Sequence, residues 1–387
     1  MICKNISNLL QKSIAAGDFP SAVYLVAEKG EIVLQDALGY AVVEPERIEA
    51  TIDTVYDLAS LTKVLVTGLL TAKMIENGAF PLDGRVGIYL AEFDIDGKRM
   101  ITFSNLLTHT SHLPAWKPFY LLVSENSEVI SKIGKIHLDF EQDAVTYSDL
   151  NFISLGTLIE RFTGKTLDEA FVEQVIAPLG LHDAHFRPDK KDRRRIAASE
   201  KGNVFEKQTC IEQGFPGREN SSPTATEGGT DNVRLPPSAF RIQTIWGEVH
   251  DGNAYFMGGV SGHAGLFSTA AEVFKIAQQF LPRFTTLLKP ETCELFRTNF
   301  TSAMNEHRSF AFQLASTPDS TAGNNMSTES FGHLGFTGTS LWIDPVNERV
   351  FILLTNRTHN RALPFANINS VRRKFHDLAI NHLDRNY

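Results

Sequence analysis

The chain contains no run of about 18 consecutive apolar residues, no excess of positive charge and only three cysteines among its 387 residues. The first absence argues against a membrane-spanning helix. The second rests on 45 acidic against 37 basic side chains, a formal charge of −8. Phosphate would be repelled on average, so no nucleic-acid partner is expected. Cys3, Cys210 and Cys293 are odd in number and far apart, which fits a reducing compartment and argues against a disulfide framework or a zinc knuckle. The opening stretch MICKNISNLLQKSIAAG lacks the basic start, apolar run and small-residue cleavage site of a secretion signal. A cytoplasmic location is the expectation. No internal repeat is present.

What the chain does have is a large apolar fraction, 42%, enough for a sizeable core in a single domain over 1–387. Residues 4–16 carry Ile6, Leu9, Leu10 and Ile14 at helical spacing. Two strand-like runs around Lys29-Gly30 predict a hairpin. SDLNFISLGTLIERFTG predicts a helix closed by Gly164 in the left-handed conformation. Thr269 with Glu272, and Thr166 with Glu169, are spaced as capping boxes. Residues 203–237 are rich in Gly, Pro, Ser and Thr without periodicity and read as one long loop; such loops are usually functional lids or partly disordered. Strand signals return in RSFAFQLAS, GHLGFTGTSLWID and ERVFILLTN, and NINSVRRKFHDLAINHL closes the chain as an amphipathic helix. Strands at both ends and helices between predict an α+β fold. It has an antiparallel sheet built from 1–67 and 286–387 and flanked by the terminal helices, with a mostly helical part over 68–285. A cleft between the two is the expected site.

Three short stretches carry chemistry. In YDLASLTKV, Ser60 stands at a helix entrance with Lys63 three residues on, so the amine can reach the hydroxyl. A hydroxyl becomes a nucleophile when a neighbouring base takes its proton. Taken alone, S-x-x-K is more often a helix cap beside a solvated lysine. In VTYSDLNF, Tyr147 precedes a helix that Ser148 or Asp149 can cap, and a phenol near cations can accept a proton. In FGHLGFTGTSLWIDP, His333-Leu334-Gly335 begins a strand. A glycine there suggests close approach of a ligand or a second backbone, and the Phe336 amide is placed to act as an oxyanion donor. His263, in GGVSGHAGLFST, lies among glycines that allow close approach to a site, although a buried structural histidine is the blander account. The pairs His109/His112 and His182/His185 lack a third ligand, so no metal is expected. Trp116, Trp246, Phe256 and Trp342 are pocket-floor candidates that serve equally well as core.

Taken together and in this order, S-x-x-K, Y-x-D and H-x-G resemble the motif triplet of the penicillin-binding protein and class C β-lactamase family. LLTHTSHLP and GGVSGHAGLFSTAAEV add to the likeness, which covers nearly the whole chain. The resemblance implies a β-lactamase-like fold and a serine hydrolase acting on an ester or amide. It also implies a Ser60 acyl-enzyme, proton transfer by Lys63 and Tyr147, an oxyanion hole from the Ser60 and Phe336 amides, and no cofactor. Substrate contacts would fall to Asp149, His333, Gly335 and His263. Two positions depart from the family pattern. Asp149 replaces an asparagine and His333 a lysine. Both changes lower the positive charge of the cleft, so esters or amides without a carboxylate are expected over anionic β-lactams. If Asp149 faces Lys63, the ammonium should persist, hold the Tyr147 pKa down and leave Tyr147 as the main base of the acylation step. A relative that binds peptide or cell-wall fragments without turnover is the competing account. An α/β-hydrolase is not: Ser261 follows Gly259, but His263 stands where G-x-S-x-G needs glycine. Substrate and oligomeric state are not legible.

Overall fold

The computed structural model describes residues 1–140, 144–215 and 240–385. Its frame is a seven-stranded sheet. The strands are β1 (Ser21–Glu28), β2 (Glu31–Val42), β3 (Ile48–Glu49), β7 (Gln313–Leu314), β8 (Phe331–Leu334), β9 (Ser340–Asp344) and β10 (Arg349–Thr355), paired antiparallel in the order β3-β2-β1-β10-β9-β8-β7. A second small sheet joins β4 (Tyr56–Asp57), β6 (Leu266–Ser268) and β5 (His185–Phe186). The Lys29-Gly30 hairpin turn is as expected, both residues having positive φ.

Both faces of the central strands are covered, which is why they read as continuous apolar runs. In β1, Ala22, Tyr24 and Val26 face a core closed by the terminal helices, while Val23, Leu25 and Ala27 enter the larger core opposite. β10 alternates the same way, with Phe351 and Leu353 on one side and Val350, Ile352 and Leu354 on the other. The terminal helices α1 (Lys4–Ala16) and α6 (Asn369–Asp384) pack on each other. Ile6 and Leu10 of the first and Phe375, Ile380 and Leu383 of the second seal this layer.

Between the chain ends lie α2 (Leu69–Glu76), α3 (Asp149–Thr163), α4 (Val204–Glu212) and α5 (Ala270–Ala277). α3 ends at Gly164 in the left-handed conformation. The Thr166–Glu169 box is complete. At α5 only Thr269 caps; the Glu272 carboxylate instead accepts from the amides of His182 and Asp183. α5 packs against β1 and β10, so this stretch of the expected helical part belongs to the sheet. The expected loop 203–237 opens as a helix, α4. Its buried face carries Glu206 and Cys210 in place of aliphatic residues, which hid its period. Residues 216–239 of that loop lie outside the described residues. Among the described residues no helix is long and apolar enough to cross a membrane.

Candidate active site

Ser60 sits in a tight turn between β4 and a helix that begins with six residues of π-helix, Lys63–Gly68, and continues as α2. Ala59 just before it holds φ at 48°, a conformation uncommon for a residue with a Cβ. Two bonds fix this turn: the buried Asp57 carboxylate accepts from the Ala59 amide at 2.9 Å and from the His250 amide at 2.7 Å.

Lys63 is fully buried. Its ammonium donates to Ser60 Oγ at 3.0 Å and to the His263 carbonyl at 3.1 Å, and pairs with Asp149 Oδ1 at 2.7 Å. It also lies 4.9 Å from the centre of the Tyr147 ring. The Tyr147 side chain lines the same cavity as Ser60, and both Lys63 and Ser60 bear on its pKa. Two sequence-distant stretches thus bring an alcohol, an amine and a phenol to one cavity.

The Tyr147 stretch is strung across the loop before it. Thr146 and Asp149 amides donate to the carbonyls of His109 and Ala115, and the Ser148 amide donates to His109 Nδ1 at 2.9 Å. The His109 ring lies against Tyr147, centroids 4.7 Å apart. The glycines around His263 do what their spacing suggests. A Cβ on Gly262 would strike the Phe152 carbonyl, so the segment threads closely between α3 and the Lys63 helix, where Thr67 donates to the Gly262 carbonyl at 2.7 Å.

His333 and Gly335 lie at the end of β8 and just beyond it, rather than at a strand's start. GHLGFTGTSLWID is therefore two strands around a turn, because Gly335 through Thr339 fold back with Gly335 and Thr339 bonded across. A Cβ on Gly335 would overlap Thr339 Oγ1 and the Leu58 carbonyl. Thr337 and Thr339 donate to the carbonyls of Asp57 and Leu58 at 2.8 and 3.0 Å. These bonds tie the Phe336 turn to the Ser60 turn. Among the described residues no protein acceptor takes the amide of Ser60 or of Phe336.

Burial pushes the Lys63 ammonium down, but Asp149 and Tyr147 outweigh it and leave its pKa above the ordinary lysine value. For Tyr147 the balance differs from expectation. Burial raises the phenol, Lys63 lowers it and Asp149 raises it again, and the net direction is up. The error lay in weighing the cation without the desolvation. His333 stands well below the ordinary imidazole range, through burial and then the charges of Arg308 and Lys63. Its Nδ1 meets the Leu334 carbonyl at 2.9 Å.

These groups open into a cavity of about 600 Å³. Its wall includes Ser60, Tyr147, Asp149, His333, Gly335 and Phe336, with Trp116, Phe205, Glu206 and Asp251. The His263 ring is buried and fully engaged, bonding Ser261 Oγ at 2.8 Å and Asp251 Oδ1 at 3.0 Å. It supports Lys63 through its carbonyl and lines no part of the cavity wall. Asp149, Asp251 and His263 bring ligand-type atoms within 4.8 Å of one another, but the Lys63 ammonium already lies on Asp149 and the imidazole already bridges Ser261 and Asp251. Trp342 is core, and Trp246 is buried with its indole donating to the Ile196 carbonyl.

This arrangement has a wide match. The Beta-lactamase family model covers residues 6–371. The chain belongs to the beta-lactamase family. Among curated members it is 29% identical over 368 residues to the "Putative D-alanyl-D-alanine carboxypeptidase" of Escherichia coli (strain K12), covering 88% of this chain and 79% of that one. It is also 29% identical over 387 residues to the N-acetylmuramyl-L-alanine amidase of Bacillus subtilis (strain 168), covering 92% and 81%. Among solved structures, EstCE1, a hydrolase with promiscuous acyltransferase activity, superposes with a TM-score of 0.72 at 22% identity over 97% of this chain and 98% of that one. It shares the fold.

Against the family pattern, the charge argument from residues 149 and 333 needs correction. Arg308, Arg357 and Arg372 also line this beta-lactamase-family cavity. Arg308 is buried, 5.3 Å from the Tyr147 ring centre, and pairs with Glu306 at 2.8 Å through one nitrogen. Its Nε and Nη1 have no partner among the described residues. Sequence spacing gave no role here to Arg308, Asp251 or Glu206, which stand in no motif, nor to Asp57 and His109, although these lie inside YDLASLTKV and LLTHTSHLP. It also passed over the basic run KKDRRR at 190–195. There Lys191, Arg194 and Arg195 pair with Asp189, Glu46 and Asp183, and Arg193 lies over Trp246.

Proposed function

We propose that the chain is a serine hydrolase that cleaves an ester or amide through an acyl-enzyme on Ser60. One observation carries the reading: Lys63 Nζ lies 3.0 Å from Ser60 Oγ at the floor of a cavity that the Tyr147 phenol also reaches. Ser60 Oγ attacks the carbonyl carbon. Its proton passes to Lys63 as Lys63 yields one to Asp149, so the pair takes up a single proton and one positive charge, which the forming oxyanion offsets. The Ser60 and Phe336 amides receive the oxyanion, a pair of aimed donors worth about 3 kcal/mol each. Tyr147, held protonated by burial, returns a proton to the leaving group and regains it from the pair. Water then releases the acyl group by the reverse steps.

The Arg308 guanidinium in the cavity wall supports a substrate bearing a carboxylate, in place of the charge that His333 does not supply. Relatives described as a carboxypeptidase and an amidase agree with a peptide-like amide.

Intact-mass analysis after a fluorophosphonate probe tests the reading. The expected result is one adduct, located on Ser60 and absent from Ser60→Ala. An unmodified Ser60 under forcing conditions would overturn it in favour of a binding protein without turnover. A panel of nitrophenyl esters, D-amino acid amides and a chromogenic cephalosporin then ranks the substrate classes.

A further inference from the structure

Behind the Phe336 turn stand two arginines without a carboxylate. Arg372, in the first turn of α6, is 4% exposed. It donates through Nη2 to the carbonyls of Gly335 at 3.2 Å and Thr339 at 2.9 Å, and through Nη1 to Asn369. Arg357 donates through Nε to the Phe336 carbonyl at 2.8 Å and through Nη1 to the Ala366 carbonyl at 2.9 Å. Among the described residues neither forms an ion pair. Burial, and then the charge of Arg357, lowers the Arg372 guanidinium to about 9. A buried cation is costly without an opposite charge, so Arg372, with the half-buried Arg357 on the same turn, needs a reason.

The bonding pattern supplies one. The Gly335 carbonyl and the Phe336 amide belong to the same peptide unit. A guanidinium on the carbonyl draws electron density toward oxygen and makes the N–H at the other end a stronger donor, the cooperative effect of chained hydrogen bonds. The Gly338 amide adds a second bond to that carbonyl at 3.0 Å. Arg357 fixes the next carbonyl, so the peptide plane cannot rotate freely. We propose that Arg372, with Arg357, is a positioning and polarising pair for the Phe336 amide, whose positive charge is met by the oxyanion as it forms. The inference rests on the Ser60 acyl-enzyme reading. It makes both arginines act through the backbone, not by reading the substrate's own charge.

The test is Arg372→Met, measured with a neutral nitrophenyl ester and with a carboxylate-bearing one. The expected result is a fall in kcat of about 10-fold or more for both substrates, with KM held within about twofold. The inhibition constant of a phenylboronic acid, which mimics the tetrahedral state, should rise by the same factor as kcat falls. Guanidinium ion added to Arg372→Ala should restore part of the rate, which a merely structural role would not allow. Unchanged kcat and boronate affinity in a folded variant would overturn the proposal. So would a loss confined to the KM of the carboxylate-bearing ester, which would make Arg372 a reader of substrate charge. Should Arg372→Met not fold, Arg357→Met decides by the same readouts, with the same parallel loss expected and unchanged values overturning. Failure of the underlying Ser60 reading would show separately, as an unlabelled Ser60 in the wild-type protein.

Discussion

Tyr147 illustrates how one side chain's neighbours compete. Lys63 favours the phenolate, but desolvation and the nearby Asp149 charge leave the phenol protonated. On the proposed mechanism, Tyr147→Phe loses the donor to the leaving group while the Lys63–Asp149 pair remains. Turnover of a nitrophenyl amide should fall by about 100-fold, and a nitrophenyl ester, whose leaving group needs less help, should fall less. Comparing the two kcat values checks this. Asp149→Asn removes the largest upward influence on Lys63, and burial then dominates. The lysine should titrate at lower pH than in the wild type, which a shifted kcat/KM profile would reveal; coincident profiles would contradict it. Arg308 brings a positive charge to the cavity wall. Arg308→Met should raise KM for a carboxylate-bearing ester by about 10-fold or more, one charge-assisted pair, and leave that of its methyl ester nearly unchanged.

At the scale of elements, the site is built where two turns are stitched together. The Ser60 turn follows β4 and the Phe336 turn joins β8 to β9, and Thr337 and Thr339 bridge them. Gly335 is where the stitching is tightest, so Gly335→Ala must displace either Thr339 or the Leu58 backbone. A shift of about 1 Å in an oxyanion donor costs on the order of 100-fold in rate. The expected outcome is a folded protein with kcat lowered by that order, checked by steady-state kinetics beside a thermal melt. α4 belongs to the same argument. It delivers Phe205 and Glu206 to the cavity, with Glu206 accepting from the Gly252 amide and the Tyr120 hydroxyl at 2.8 and 2.9 Å.

For the whole molecule, several histidines are folded into the interior as neutral rings. His376, between Trp342 and Phe351, is pushed by burial from the ordinary value down to about 3. His109 and His333 are also held well below the ordinary range, first by burial. In the unfolded chain these rings bind protons below about pH 6.5, so the unfolded state takes up more protons and stability falls as pH drops through that value. The slope is at most about 1.4 kcal/mol per pH unit for each such histidine. Melting temperature should therefore decline steadily from pH 7.5 to about pH 5, and the decline should be shallower in His376→Gln. Equal slopes would remove His376 from the account.

Local pattern determined much of this protein. Helix 4–16, the Lys29-Gly30 hairpin, the Gly164 stop and the paired chain ends follow from short-range steric and solvation rules. Ser60, Lys63 and Tyr147 were legible because their spacing recurs as a set. Only the tertiary structure decided the electrostatics. Asp149 meets Lys63 across separate elements, and Arg308, Arg357 and Arg372 converge on the cavity from three different parts of the chain. The His263 ring turns away into bonds with Ser261 and Asp251. Charge in a cleft depends on distance and on exclusion of water, and neither is a property of neighbours along the chain.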